Sequence, residues 1–176
     1  NQVWTIYPDG SIELQSAITS NKPSADLGRL GYTMELPKAF ENLYYYGRGP
    51  VNNYNDRKTG SFVELYQQTV GKDEIMLPKP QAMGNREEVR WCALTTPAGR
   101  GAAFIADGLM SASALPWSQM ELTRAAHPHQ LPTSQYVHLD LDAKVTGLGG
   151  NSCGQGGPLT PDRCKAEPTN FGFIIR

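Results

Sequence analysis

Sixteen basic and seventeen acidic residues among 176 leave a net charge of -1, with no basic block along the chain, so the electrostatic footprint of a nucleic-acid binder is absent. No apolar run approaches the about 20 residues that a membrane-crossing helix needs, and neither nucleic acid nor membrane is an expected partner. Eighteen glycines and thirteen prolines, spread along the sequence, punctuate many short strands rather than a helical bundle.

In chain order, Val3–Tyr7 and Ile12–Ser16 alternate on either side of Pro8-Asp9-Gly10. Pro pre-sets φ and Gly accepts positive φ, so the stretch predicts a β-hairpin. Thr19–Asp26 is a polar loop, Leu30–Leu36 a strand ended by Pro37, and Leu43–Tyr46 a short aromatic strand ended by Gly47-Arg48-Gly49-Pro50. Asn52–Gly60 is turn-rich, and Phe62–Val70 fits strand or helix. Pro78, Pro80 and Gly84 mark a long irregular crossing. Val89–Thr95 and Ala102–Ala106 are strands joined by a turn at Pro97–Gly101, and Met110–Leu115 is a further strand.

Ser118, with Glu121 three residues on, is a capping box that opens a helix, and Pro128 keeps that helix short. Tyr136–Asp142 alternates strictly, with Val137, Leu139 and Leu141 on one face and Tyr136, His138, Asp140 and Asp142 on the other. Gly147–Gly157 is a glycine-rich loop, and Phe171–Ile175 closes the chain as a strand. Roughly eight to ten strands joined by short turns predict an all-β fold, an antiparallel sandwich with one or two short helices. The length suits a single domain over residues 1–176. The sequence has no initial Met and no signal sequence, and its first residues already read as strand; it is expected to derive from a longer or processed polypeptide.

Four groups of residues could carry chemistry. Asp140 and Asp142 share a strand face, and a carboxylate pair is what glycoside hydrolysis requires; a solvated polar face produces the same pattern. His127-Pro128-His129, with His138 nearby in sequence, could act as acid or base near neutral pH or sit in a solvent-facing loop. The glycine-rich loop lacks the helix start of a phosphate cradle, since Pro158 and Pro161 follow, and reads as a surface loop with ligand contacts at its tip. Trp4, Tyr44, Tyr45, Tyr46, Trp91 and Trp117 could stack on sugar rings, although aromatic residues in strands usually belong to cores. Cys92 reads as a small core residue. Cys153 and Cys164 flank a Gly/Pro-rich stretch, and whether they pair is left open. The three Cys and three His show no metal-ligand spacing.

Five segments resemble one known family in order and spacing. They are Leu30–Pro37; the run Gly47-Arg48-Gly49-Pro50 with Asn53-Tyr54-Asn55-Asp56-Arg57; Pro80–Arg90 with Gly84-Asn85-Arg86; Ser118-Gln119 and Leu122 with His127 and His129; and Leu139 with Gly147-Leu148-Gly149-Gly150. The family is the β-galactosidases of glycoside hydrolase 2 type, and the similar part is the C-terminal, small-chain domain. The resemblance implies part of a supersandwich similar to galactose mutarotase, with the domain's first portion lying upstream. It implies a non-catalytic domain that borders the galactoside site and supports assembly. The catalytic glutamates would lie in a separate barrel, and Mg2+ and Na+ would be bound elsewhere in the parent, with no cofactor in this part. Its partners would be the remaining domains, the galactoside substrate and a second copy of the enzyme.

By resemblance the substrate rim falls on Asn151, Ser152 and Cys153, where the family's Trp is missing. Cytoplasm and periplasm of a bacterium both stay open. An incomplete sandwich exposes a sheet edge, which favours association. Two other readings compete with this one. The first is an aldose-1-epimerase-like enzyme using His127 or His129 with a carboxylate. The second is a stand-alone carbohydrate-binding module using Trp117 or Tyr44–Tyr46.

Overall fold

A computed structural model describes residues 1–150 and 156–176. The chain is an antiparallel β-sandwich of eleven strands among the described residues, with one short α-helix and two 3₁₀ turns. Strands β1 (Gln2–Ile6) and β2 (Ile12–Ile18) form the expected hairpin, in register from Gln2 opposite Ser16 to Ile6 opposite Ile12. The turn is closed by Gly10 at φ +86° and by the Asp9 carboxylate, which accepts from the Ser11 backbone and hydroxyl at 2.9 and 2.6 Å.

Two-residue β3 (Asp26–Leu27) precedes β4 (Arg29–Pro37), β5 (Asn42–Gly49) and β6 (Phe62–Thr69). The segment that fits strand or helix is therefore strand, paired along its whole length with β5. β5 also outruns its expected end: Gly47-Arg48-Gly49 stays extended and paired with β6, and glycine is needed there because a Cβ at Gly47 would collide with Val89 and one at Gly49 with Tyr45 and Tyr66. β7 (Arg86–Thr95) starts three residues before its apolar run, across a bulge in which Glu88 has φ +55°.

β8 (Gly101–Leu115) corrects a larger expectation. Ala102–Ala106 and Met110–Leu115 are one strand, with Gly108 at φ +93° between them. Its first half pairs with β7 and with β11 (Thr169–Ile175); its second half pairs with β9 (Tyr136–Val145) and the start of β7. From β8 one arm runs β11–β2–β1 and the other β9–β4, while β7–β5–β6 continues the sheet. Two-residue β10 (Cys164–Lys165) pairs with β3.

The arms enclose one core, in which Leu14, Val89, Cys92, Leu94, Leu139 and Leu141 are fully buried. Tyr32 of β4 stacks on Phe171 and meets Phe173 edge-on, ring to ring across the layers. Helix α1 (Gln119–Arg124) has the expected capping box: the Ser118 hydroxyl accepts from Glu121 N, and Glu121 Oε2 accepts from Ser118 N at 2.8 Å. The helix lies over the polar face of β9. Alternation along β9 is as expected, but Asp140 and Asp142 are 3% and 2% exposed rather than solvated, because Arg29 and α1 cover them.

Leu139→Ala should cost about 2–5 kcal/mol by opening a cavity in this core. Gly108→Ala should cost about 1–2 kcal/mol through backbone strain alone, since a Cβ there meets nothing within 4 Å. Urea denaturation of the two variants checks both magnitudes and their order.

Candidate functional site

Residues far apart in the sequence line one pocket of about 440 Å³. Arg29 comes from the start of β4, Tyr54 from the turn after β5, Asn85 from the residue before β7, Gln119 from α1, and Gly147 and Leu148 from the chain leaving β9. Four of the five family-like segments thus reach the pocket directly. Leu30–Pro37 follows Arg29 on the same strand.

Under the pocket lies an ionic cluster. Arg29 Nη1 donates to Asp140 Oδ2, and Nη2 lies 2.8 Å from Asp142 Oδ2. Thr33 Oγ1 donates to Asp140 Oδ1 at 2.6 Å; Ser113 Oγ and Gln119 Nε2 donate to Oδ2 at 3.1 and 3.0 Å. Both aspartates are spent on one guanidinium and its neighbours, so they do not face each other across a space for a sugar. Burial raises the Asp142 carboxyl to about 7 against the pull of Arg29, and the negative Asp140 and Glu87 push the same way as burial. Burial also pushes the Tyr54 phenol to about 12, so it keeps its proton.

A second network ties the segments together. Asn53 Nδ2 donates to the carbonyls of Arg48 and Val51 at 2.9 and 3.0 Å, and its Oδ1 accepts from Glu87 N at 2.8 Å. Asn85 Nδ2 donates to Asn53 O and to Glu87 Oε1, and Ser111 Oγ donates to the same Glu87 oxygen. Beside the pocket, Leu148 N and Gly149 N donate to the two carboxylate oxygens of Asp56 at 3.1 and 2.7 Å. Gly147 N donates to Asp162 O at 2.8 Å, and Asn55 Nδ2 to Asp162 Oδ1 at 3.1 Å.

The rim residues Asn151, Ser152 and Cys153 lie outside the described residues, as does the pairing of Cys153 with Cys164. Cys164 is buried on β10, and its backbone N donates to Thr146 Oγ1. The histidines are not gathered into one site. His127 and His129 are exposed on a 3₁₀ turn with rings stacked at 5.5 Å, whereas His138 is buried near Glu35 and Glu121, at 3.6 and 3.8 Å. Of the aromatic candidates, Tyr45 is core, Trp117 donates to Pro132 O, and Trp4 and Tyr46 are exposed; none lines the pocket.

Among the described residues no group of three or more His, Cys, Asp or Glu side chains is placed to hold a metal ion. Sequence alone does not mark Arg29 or Asp56 as site residues. A lone Arg ahead of an alternating strand carries no signal, while Asp56 sat inside a family-like segment without a chemistry of its own.

The Asp142 carboxyl sets a pH dependence. Between the ordinary value of 3.8 and about 7 the folded chain keeps this proton and the unfolded chain releases it, so rising pH favours unfolding through that window. Asp142→Asn removes the titration. Its unfolding free energy relative to wild type should rise with pH from about 4 to about 7, by at most about 1.4 kcal/mol per unit, and then level off. Urea denaturation at a series of pH values reads the slope, and a pH-independent difference would contradict it.

Comparison with known proteins gives one consistent result. The family model described as "Beta galactosidase small chain" matches residues 1–175. A β-galactosidase of Priestia megaterium is 34% identical over 154 residues, which are 86% of this chain and 15% of that protein. One from Lactobacillus delbrueckii subsp. bulgaricus is 35% identical over 154 residues, 84% of this chain and 15% of that protein. One from Halalkalibacterium halodurans is 30% identical over 176 residues, 98% and 17%. The chain spans about a sixth of the length of these relatives. With the family matched from the first strand to the last, the chain belongs to the β-galactosidase small-chain family.

Proposed function

We propose that this chain is a non-catalytic domain at the C-terminal end of a β-galactosidase of glycoside hydrolase 2 type, with residues 1–176 forming one mutarotase-like unit. The parent reaction is hydrolysis of terminal β-D-galactosides with retention, by two carboxylates on another part of the polypeptide. This domain forms one wall of the galactoside site. Mg2+ and Na+, where the parent uses them, belong to other domains.

The observation that carries the reading is the pocket, where family-like segments between residues 47 and 148 meet although the chain separates them widely. Asp140 and Asp142, which share a strand face, are both committed to Arg29, which supports assigning the acid–base work to residues elsewhere. The outer strands support assembly with the rest of the parent. On β1, Val3, Trp4 and Ile6 are 62%, 53% and 76% exposed, and on β6 Phe62 and Leu65 are 71% and 64% exposed. Apolar edges of this kind pair with further chain, so the remaining domains, and a second copy of the enzyme, are the partners.

The 176-residue chain alone should release no nitrophenol from nitrophenyl β-galactoside, while the full-length polypeptide does; cleavage by the chain alone ends this reading. Faster mutarotation of fresh α-galactose in its presence would point to an epimerase instead, and strong calorimetric binding of galactosides to a free-standing module. Trp4→Lys with Ile6→Lys should lower self-association of the chain in sedimentation velocity, because charge on an edge strand blocks pairing. Unchanged association would remove β1 as the contact.

A further inference from the structure

The turn Tyr54–Arg57 touches the chain that leaves β9 and the chain that returns to β10. Asp56 accepts two consecutive backbone N–H groups, one on each carboxylate oxygen, from Leu148 and Gly149. The adjacent Asn55 donates to Asp162, whose carbonyl accepts from Gly147. The glycines make the approach feasible: a Cβ at Gly147 would stand 2.5 Å from the Asp56 carboxylate carbon, and Gly149 has φ +89°. The turn itself is held by reciprocal backbone bonds between Tyr54 and Arg57, and by Arg57 Nη2 donating to Asn52 Oδ1.

We infer that Asp56 is a positioning residue of the galactoside site, a proposal that rests on the functional reading above. A carboxylate that takes two N–H bonds at once fixes the direction as well as the place of the chain it holds. It does so at Leu148 and Gly149, and Leu148 lines the pocket together with the preceding Gly147. Asp56 touches no reacting atom; it acts by setting one wall of the pocket against the substrate. A wall of that kind contacts the substrate in ground state and transition state alike, so loosening it weakens binding more than turnover.

The test uses the full-length polypeptide with Asp56→Ala and Asp56→Asn. Amide hydrogen exchange should speed up at Leu148 and Gly149 in Asp56→Ala and stay unchanged in β7 and β8. With nitrophenyl β-galactoside, KM should rise about tenfold or more while kcat stays within about twofold. Asp56→Asn keeps one acceptor oxygen and should recover part of both effects. A merely structural role would lower kcat through loss of folded enzyme and leave KM unmoved. That result, or unchanged exchange at Leu148 and Gly149, overturns the assignment. A wild-type full-length polypeptide without galactosidase activity overturns the functional reading instead, and it is seen before any variant is compared.

Discussion

Fifteen consecutive residues, Gly101–Leu115, serve both arms of the sandwich, and the remaining architecture follows from that sharing. A strand has two edges, and β8 uses each of them twice over its length: β7 and β11 beside the first half, β9 and the start of β7 beside the second. The change of partner requires a break in the ladder, which falls at Asp107–Leu109 around the positive φ of Gly108. Once the strand has turned there, β9–β4 and β11–β2 come face to face, and their inward side chains close the core.

Covering the outer face of β9 has an electrostatic consequence. A strand with a polar face that becomes roofed by a helix must satisfy that face internally. Arg29, Thr33, Ser113 and Gln119 do so for Asp140, and Arg29 is shared with Asp142. Burial is the main reason that the Asp142 carboxyl holds its proton toward neutral pH, and the negative charge left over when one guanidinium serves two carboxylates adds to it. The same cluster locks the first residue of β4, the end of α1 nearest the cap and the middle of β9 into one block. The pocket is built on that block.

The pocket depends on a second, uncharged set of bonds. Asn53, Asn85 and Glu87 exchange side-chain and backbone hydrogen bonds, which tie the turn after β5 to the start of β7. Asparagine suits this task because one amide both donates and accepts. Arg86, 2% exposed, extends the network outward to Tyr45, Gln68 and Glu74 and holds the irregular stretch after β6 against the sheet.

Local features were legible in the sequence wherever a few neighbouring residues decide them. Pro8-Asp9-Gly10 specified the first hairpin, Ser118 with Glu121 specified the helix start, and alternation in Tyr136–Asp142 separated the two faces of β9. The order of five family-like segments was legible too, and it pointed to the family that the whole chain matches. Tertiary structure alone decided whether the polar face of β9 meets water or a helix, that two apparent strands are one, and that Asp26–Leu27 and Cys164–Lys165 pair across more than a hundred residues. It alone brought Asp56 to Gly149 and Arg29 to Asp140. The reason is physical: turn and cap preferences are settled within one or two turns of chain, whereas burial and ionic pairing depend on which distant strands meet, and no local pattern encodes the partner.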